Sequence, residues 1–234
     1  IFMIIKNILK IYLIINFVNI VNSNYIFFKN IKLGKLTKLR DIHTPNKYYS
    51  NKFTKRLLHN NITNHDLYNG NNIRFIDTIY NVSLEHIYPR SMLGNDINAC
   101  QDMHNLYLTH KHYNSHRSNY KYICENSYIN IKELLVCFDN ECKNLKCSNF
   151  NLYIPFESSR GKISRSIAYM YLIYPNLCDL HKINDFILEM NLLKEWNNQY
   201  PPDNEEYERN YLIKLFQGNN NPFIENHKLI NKLF

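Results

Sequence analysis

Two periods of hydrophobic positions occur along the chain, and the change of period separates a central β-rich stretch from helical flanks. Residues 73–88 are rich in β-branched and aromatic side chains, which predicts one or two strands that end before Pro89. A further short strand is predicted over residues 102–108. Thr109 is a suitable N-cap for a helix over residues 110–120, so the strands should lead directly into a helix.

Helical spacing dominates on both sides of this stretch. Upstream, residues 25–72 are rich in Asn and Lys, and their sparse apolar positions predict short helices that cover the core. Downstream, the spacing of apolar residues predicts three amphipathic helices, over residues 162–174, 185–196 and 205–216. The last dozen residues are expected to form a loose tail.

Residues 1–23 have the features of a signal peptide. Lys6 and Lys10 provide a positive start, an apolar stretch follows, and Val21 and Ser23 are small enough for a cleavage site. An uncleaved membrane anchor is the alternative, which the short and asparagine-interrupted run disfavours. We therefore expect an exported or secreted protein whose residues 24–234 form a single domain.

Charge and cysteine content add two expectations. The formal net charge of +8 favours a polyanionic partner, although a Lys excess also follows from AT-rich codon usage. Six cysteines suit disulfide bonds in an exported chain. Cys137, Cys142 and Cys147 leave a zinc-binding module as the alternative, but their spacing lacks the paired short gaps of structural zinc sites.

The central stretch also concentrates side chains suited to hydrolysis of a phosphodiester. Glu85 offers a hard carboxylate oxygen for Mg²⁺ or Ca²⁺, and Asn114 offers a neutral oxygen from the following helix. His86 has a near-neutral pKa and can take a proton from water. An isolated Glu-His pair is usually a solvated surface pair, so the inference depends on the several polar residues that accompany it.

The same residues carry a family resemblance. The chain resembles the endonuclease I family, exported non-specific nucleases of the ββα-metal (His-Me finger) superfamily. The matching pieces fall in family order between residues 73 and 224. They are Glu85-His86-Ile87-Tyr88-Pro89-Arg90-Ser91, Asp102-Met103-His104-Asn105-Leu106, Asn114-Ser115-His116-Arg117-Ser118-Asn119, Arg160-Gly161 with Arg165, and Gln217-Gly218-Asn219.

The resemblance implies a fold and a set of roles. The fold class would be α+β, a small antiparallel ββα-metal core surrounded by helices. His86 would be the general base, and Glu85 and Asn114 would hold one Mg²⁺, for which Ca²⁺ can substitute. The expected substrate is DNA and possibly RNA, cut to 5′-phosphate and 3′-hydroxyl ends, by a monomer without a stable protein partner. Asp102, His104, Asn105 and Asn119 would support the site.

One family feature has no counterpart here. Some members hold the phosphate with an Arg on a long insertion after the Glu-His pair, and in this chain that gap is short. We expect Arg117, Arg160 or Arg165 to contact the substrate phosphate instead. A catalytically inactive nucleic-acid-binding or virion structural protein on the same scaffold is the competing hypothesis, which the intact Glu85, His86 and Asn114 disfavour.

Overall fold

The computed structural model describes residues 34–61, 65–68, 70, 73, 81–124, 136–137, 145–147, 152–178, 183, 187 and 190–234. The expected signal peptide lies outside these residues. The chain divides into two compact units, residues 1–42 and residues 43–234. In the first unit residues 34–42 are helical. All elements labelled below belong to the second unit.

The described elements follow in an α+β order, as expected. The helices are α1 (Asn51–Asn61), α2 (Ile97–Gln101), α3 (Lys111–Arg117), α4 (Glu157–Ile173), α5 (Asn191–Gln199), α6 (Asn204–Gln217), α7 (Pro222–Glu225) and α8 (Ile230–Leu233). The strands are β1 (Val82–His86), β2 (Leu106–His110), β3 (Lys121–Tyr122), β4 (Val136–Cys137), β5 (Leu145–Cys147) and β6 (Leu152–Ile154). No described helix is long and apolar enough to cross a bilayer.

The predicted ββα unit is present at the centre. Strands β1 and β2 pair antiparallel, with Glu85 opposite Tyr107 and His86 opposite Leu106, and α3 begins directly after β2. Thr109 is not the N-cap of α3, as had been expected, because its buried hydroxyl donates to Asp66. His110 occupies the cap position instead, without a capping side-chain bond.

A second, smaller sheet has the order β3-β6-β5-β4. Strand β3 runs parallel to β6, and the other two pairs are antiparallel. Tyr122 on β3 and Tyr153 on β6 are fully buried. The edge of one ring faces the plane of the other, with ring centroids 6.3 Å apart. This sheet therefore contributes aromatic side chains to the interior of the domain.

Helix α4 is the most deeply buried of the long helices in the downstream half, because 13 of its 17 residues are buried. Gly161 lies so close to the backbone of Tyr200, at the end of α5, that a Cβ atom there would overlap the Tyr200 carbonyl oxygen. The Ser164 hydroxyl donates to the carbonyl of Leu193 on α5. The small residues of α4 thus let α5 approach its backbone closely.

Buried polar bonds attach α4 and α6 to the turn before β2. Asp102 accepts hydrogen bonds from the hydroxyls of Tyr169 and Tyr174, each at 2.8 Å, and from Gln217 Nε2 at 2.9 Å. Its carboxylate is fully buried, so these donors offset the loss of water. Helix α6 ends at Gly218, whose φ of 88° is readily adopted by glycine.

The expectation of a loose C-terminal tail is wrong. Residues 222–233 form α7, a 3₁₀ turn at His227–Leu229 and α8. Ile224 and Ile230 are fully buried, and Leu233 is 4% exposed. The Asn197 side chain also donates to the carbonyl of His227 at 2.9 Å. Several short turns replace one long helix, which is why no helical period predicted order here.

Candidate active site

A cleft of about 390 Å³ opens where β1 ends and α3 packs beside it. The residues that line it come from three pieces of the chain: the end of β1, the turn that follows it, and the second half of α3 with the two residues after it. They are Glu85, His86, Pro89, Arg90, Ser91, Asn114, Arg117, Ser118 and Asn119. The fold thus brings the predicted Glu85, His86 and Asn114 to a single site.

Glu85 is the acidic residue of the cleft and is 1% exposed. Its Oε1 atom accepts a hydrogen bond from the Tyr68 hydroxyl at 2.8 Å and forms an ion pair with Arg117 Nη1 at 3.1 Å. Burial raises the pKa of Glu85 to about 7, while Arg117 and the Tyr68 hydroxyl act in the opposite direction. Since the hydrogen bond from Tyr68 and the ion pair with Arg117 both involve Oε1, Oε2 is the oxygen left for a ligand in the cleft.

The His86 ring is held by a backbone carbonyl of α2. Its Nε2 lies 3.0 Å from the carbonyl oxygen of Cys100, and because a carbonyl only accepts, Nε2 carries the proton. The lone pair is then on Nδ1. Burial lowers the pKa of His86, and the nearby charges of Arg90 and Arg117 lower it further. The imidazole is therefore kept neutral, which is the form that can accept a proton.

Asn114 is oriented by two hydrogen bonds from its amide nitrogen. Nδ2 donates to the Ser83 hydroxyl at 3.0 Å and to the Leu84 carbonyl at 2.9 Å. These bonds fix which end of the amide is nitrogen, so Oδ1 is the atom directed away from the strand. A neutral oxygen from α3 therefore lies beside the carboxylate from β1 in the lining of the cleft.

The donor chemistry of the cleft fits a hard divalent cation. Glu85 offers a carboxylate oxygen and Asn114 an amide oxygen, and Mg²⁺ sites at phosphates use one or two such ligands plus water. Within the described residues, no cluster of three or more His, Cys, Asp or Glu side chains could hold a metal. A cation here would therefore rely on these two side chains, solvent and substrate oxygens.

Arg117 lies in the cleft but is committed to the protein. It is 1% exposed, pairs with Glu85, and donates to the carbonyls of His86 at 3.3 Å and Ile87 at 3.0 Å. Its guanidinium also lies over the ring of Tyr122, 4.5 Å from the centroid. These contacts fix the backbone that carries His86, which makes Arg117 a positioning residue.

The other two predicted arginines are not brought to the cleft. Arg165 is 1% exposed and donates through Nε to Glu206 at 2.8 Å and through Nη1 to the Tyr200 carbonyl at 2.8 Å. Arg160 is buried and donates to the Pro155 carbonyl at 3.2 Å. Arg165 thus links α4 to α6, the Arg160 guanidinium lies over the ring of Trp196 on α5, and neither arginine lines the cleft.

Arg90 was missed by sequence reasoning. It lines the cleft, is exposed, and has no carboxylate partner among the described residues. It follows Pro89 at the start of the 3₁₀ turn Arg90–Met92, and its charge is near enough to lower the pKa of His86. The signal was its place four residues after His86, in a segment taken only as the end of a strand.

The supporting residues take distinct places. Asn105 accepts from the Tyr88 backbone at 2.7 Å and donates to its carbonyl at 3.1 Å, so it shapes the turn after His86. Asp102 and His104 lie in the buried network behind β2, and Asn219 O lies 3.3 Å from His104 Nε2. Asn119 is exposed in the cleft.

The cysteines are placed only in part. Cys100 and Cys178 are buried and Cys124 is partly buried, and disulfide bonding of the six cysteines stays a prediction. The side chains of Cys137, Cys142 and Cys147 lie outside the described residues. The choice between disulfides and a zinc module therefore stays a prediction for those three.

Comparisons with known proteins identify the family of the chain. A family model described as Endonuclease I matches residues 33–228. The chain is 32% identical to a periplasmic deoxyribonuclease of Aeromonas hydrophila over 165 aligned positions, covering 62% of this chain and 63% of that protein. It is 33% identical to an extracellular deoxyribonuclease of the same organism over 166 positions, covering 62% and 66%. The chain thus spans slightly less than two thirds of these relatives, and the match over most of its own length shows that it belongs to the endonuclease I family.

Proposed function

We propose that the chain is a metal-dependent, non-specific endonuclease that hydrolyses phosphodiester bonds of DNA to 5′-phosphate and 3′-hydroxyl ends. The observation that carries the proposal is the convergence of Glu85, His86 and Asn114 on one cleft. The matched relatives named deoxyribonucleases support DNA as the substrate. RNA is the second substrate to compare, because it contains the same phosphodiester linkage and the proposed contacts are to the backbone and not to the bases.

The chain's own groups account for the proton transfer. His86 Nδ1 accepts a proton from the water that attacks phosphorus, while the Cys100 carbonyl holds the ring through Nε2. Glu85 Oε2 and Asn114 Oδ1 are the atoms that would hold the cation. A bound Mg²⁺ would supply Lewis-acid stabilisation of the developing charge and of the leaving 3′ oxygen, and Ca²⁺ would be able to occupy the same ligands.

Arg90 is the residue we assign to the substrate phosphate. The carboxylate of Glu85 occupies Arg117, whereas Arg90 is exposed at the rim and has no acidic partner in the described part of the chain. A guanidinium can hold two phosphate oxygens at once. Arg90 would thus orient the backbone of the nucleic acid against His86.

The names of the matched relatives, periplasmic and extracellular, support an exported protein, and we infer export here as well. Cys100 is buried, which protects its thiol from oxidation in such a compartment. That the protein acts as a monomer stays a prediction.

A nicking assay on supercoiled plasmid tests the function. We expect nicking with Mg²⁺, none with EDTA, and a loss of several orders of magnitude in His86→Ala. A shift of plasmid mobility without nicking by the parent protein would instead favour the inactive binding protein. End-labelling of the products, with and without phosphatase, checks for 5′-phosphate ends, and an RNA substrate in parallel measures the preference between the two nucleic acids.

A further inference from the structure

Two buried phenols lie directly behind the carboxylate of Glu85. Tyr68 and Tyr122 are both fully buried, and their hydroxyl oxygens are 2.8 Å apart. The Tyr68 hydroxyl also lies 2.8 Å from Glu85 Oε1. The three polar groups thus form a chain that runs from the small second sheet, through residue 68, to the cleft.

The direction of donation in this chain follows from the chemistry of its ends. An ionised carboxylate can only accept, so the single hydroxyl proton of Tyr68 is directed at Glu85. The oxygen of Tyr68 must then accept from Tyr122, which donates. Burial raises the pKa of both phenols, so both stay protonated as donors.

The turn that carries Tyr68 is anchored to β2 and not to the cleft. The carboxylate of Asp66 accepts from the Tyr68 backbone at 2.8 Å, from the Thr109 hydroxyl at 3.1 Å and from His110 Nδ1 at 2.6 Å. The backbone N–H of Leu67 donates to the Leu108 carbonyl at 3.0 Å. A short segment fixed at this many points holds the hydroxyl of Tyr68 in one place.

The other end of the chain is fixed as well. Tyr122 belongs to β3, and the guanidinium of Arg117 lies over its ring. The ring of Tyr153 meets that of Tyr68 edge-on, with centroids 5.3 Å apart. Arg117 Nη1 also lies 3.1 Å from Glu85 Oε1, so an ion pair and the Tyr68 hydrogen bond hold the same oxygen.

We propose that Tyr68 and Tyr122 form a donor relay that holds Glu85 by Oε1 and presents Oε2 to the cleft, and that this relay sets the affinity for the divalent cation. The inference rests on the proposed metal-dependent function. Partners behind a ligand typically change metal affinity by about 10-fold to 100-fold. It also assigns a purpose to the second sheet, which otherwise contributes nothing to the lining of the cleft.

The experiment measures Mn²⁺ binding, by the electron paramagnetic resonance signal of free Mn²⁺, in the parent and three variants. Tyr68→Phe should raise the dissociation constant about 10-fold or more, and Tyr122→Phe should raise it by a smaller factor. The double variant should bind about as weakly as Tyr68→Phe, because the Tyr122 hydroxyl acts mainly through Tyr68, while the Phe ring keeps the contact with Arg117. Saturating Mn²⁺ should restore plasmid nicking toward the parent rate, which a merely structural defect would not show.

Tyr169→Phe is the matched control. It removes a buried phenol-carboxylate bond of the same 2.8 Å length, to Asp102, without touching the cleft lining. Its Mn²⁺ affinity should equal that of the parent. The relay is refuted if Tyr68→Phe and Tyr122→Phe bind Mn²⁺ like Tyr169→Phe, or if Tyr122→Phe weakens binding as much in the Tyr68→Phe background as in the parent.

The parent protein separates this idea from the proposed function. A parent that neither binds Mn²⁺ nor nicks plasmid refutes the function itself. A parent that does both, with variants of unchanged affinity, refutes only the relay. Should Tyr68→Phe fail to fold, Tyr122→Phe alone still decides, since its expected increase in dissociation constant is measured against Tyr169→Phe.

Discussion

Arg117 Nη1 lies 3.1 Å from Oε1 of Glu85, and their side chains are 1% and 2% exposed. An arginine and the carboxylate that we propose as a metal ligand are thus paired in a place that water scarcely reaches. The pair explains how a buried acid can be kept beside the cleft: Arg117 opposes the rise in its pKa that burial causes. The contacts of Arg117 are thus made with Glu85 and with the protein backbone, and they stabilise the fold and the position of the carboxylate.

Removal of Arg117 should therefore cost stability as well as activity. In Arg117→Met the aliphatic volume is kept, but Glu85 loses its ion-pair partner and three carbonyls lose their donor. The unfolding free energy should therefore fall by about 3–5 kcal/mol. Urea denaturation without added metal measures this. Arg90→Met removes an exposed cation from the same cleft and should stay within about 0.5 kcal/mol of the parent. Equal stability of the two variants would show that the buried pair contributes little.

The acid side of the pH profile should report Glu85 before His86. The pKa of Glu85 is raised to about 7, so the metal-free protein takes up a proton there as the pH falls through 7. A cation must displace that proton, and its apparent affinity should fall about tenfold per pH unit below that point. The pKa of His86 is lowered, so His86 is still neutral in this range.

Nicking rates measured against pH at low and at saturating Mg²⁺ separate the two groups. If Glu85 controls the acid side, the midpoint moves to lower pH as Mg²⁺ is increased. A midpoint that does not respond to Mg²⁺ would assign the acid side to His86 instead, because protonation of the general base does not compete directly with the cation.

Arg90 should act on substrate binding and on its salt dependence. Arg90→Gln should raise the KM for plasmid DNA and reduce the slope of log affinity against log salt by about one, as expected for the loss of one phosphate contact. Arg56→Gln makes the same change of net charge at an exposed position of α1, which does not line the cleft. Equal effects in both variants would mean that only the overall charge of the protein matters.

The sequence predicted the ββα core because its signals are local. Glu85 and His86 lie at the end of a β-branched run, and Asn114 lies in a helix that starts right after the next strand. Spacing along the chain is enough to place such residues together. The roles of the arginines were not predictable in the same way, because a sequence shows that a residue is charged and not whether it is buried.

Tyr68 illustrates what local patterns cannot show. It lies in a polar region predicted only as helical cover, and its link to Glu85 requires a turn anchored on β2 by Asp66. Gly161 is a second example. A side chain is excluded at this position only because the backbone of Tyr200 packs against α4. Both relationships join residues that are distant along the chain, so no spacing rule predicts them.

The C-terminal segment provides the last prediction. Ile230 is fully buried, and α8 packs against α4 and α5. Ile230→Ala should therefore lower the unfolding free energy by about 2–5 kcal/mol, the usual cost of deleting a large buried aliphatic side chain. Lys232→Ala changes an exposed neighbour in the same helix and should stay within about 0.5 kcal/mol of the parent.

Thermal or urea denaturation of both variants decides whether the segment is part of the core, since a loose tail would make the two indistinguishable from the parent. Helix α4 also donates from Ser166 to the carbonyl of His104, just before β2. Loosening α8 should therefore reduce stability first and reach the cleft only through α4. Ile230→Ala should bind Mn²⁺ with parental affinity while folded, because the bonds described for Glu85 and Asn114 do not involve α8. Weakened binding well below the unfolding transition would show that the C-terminal segment also positions the site.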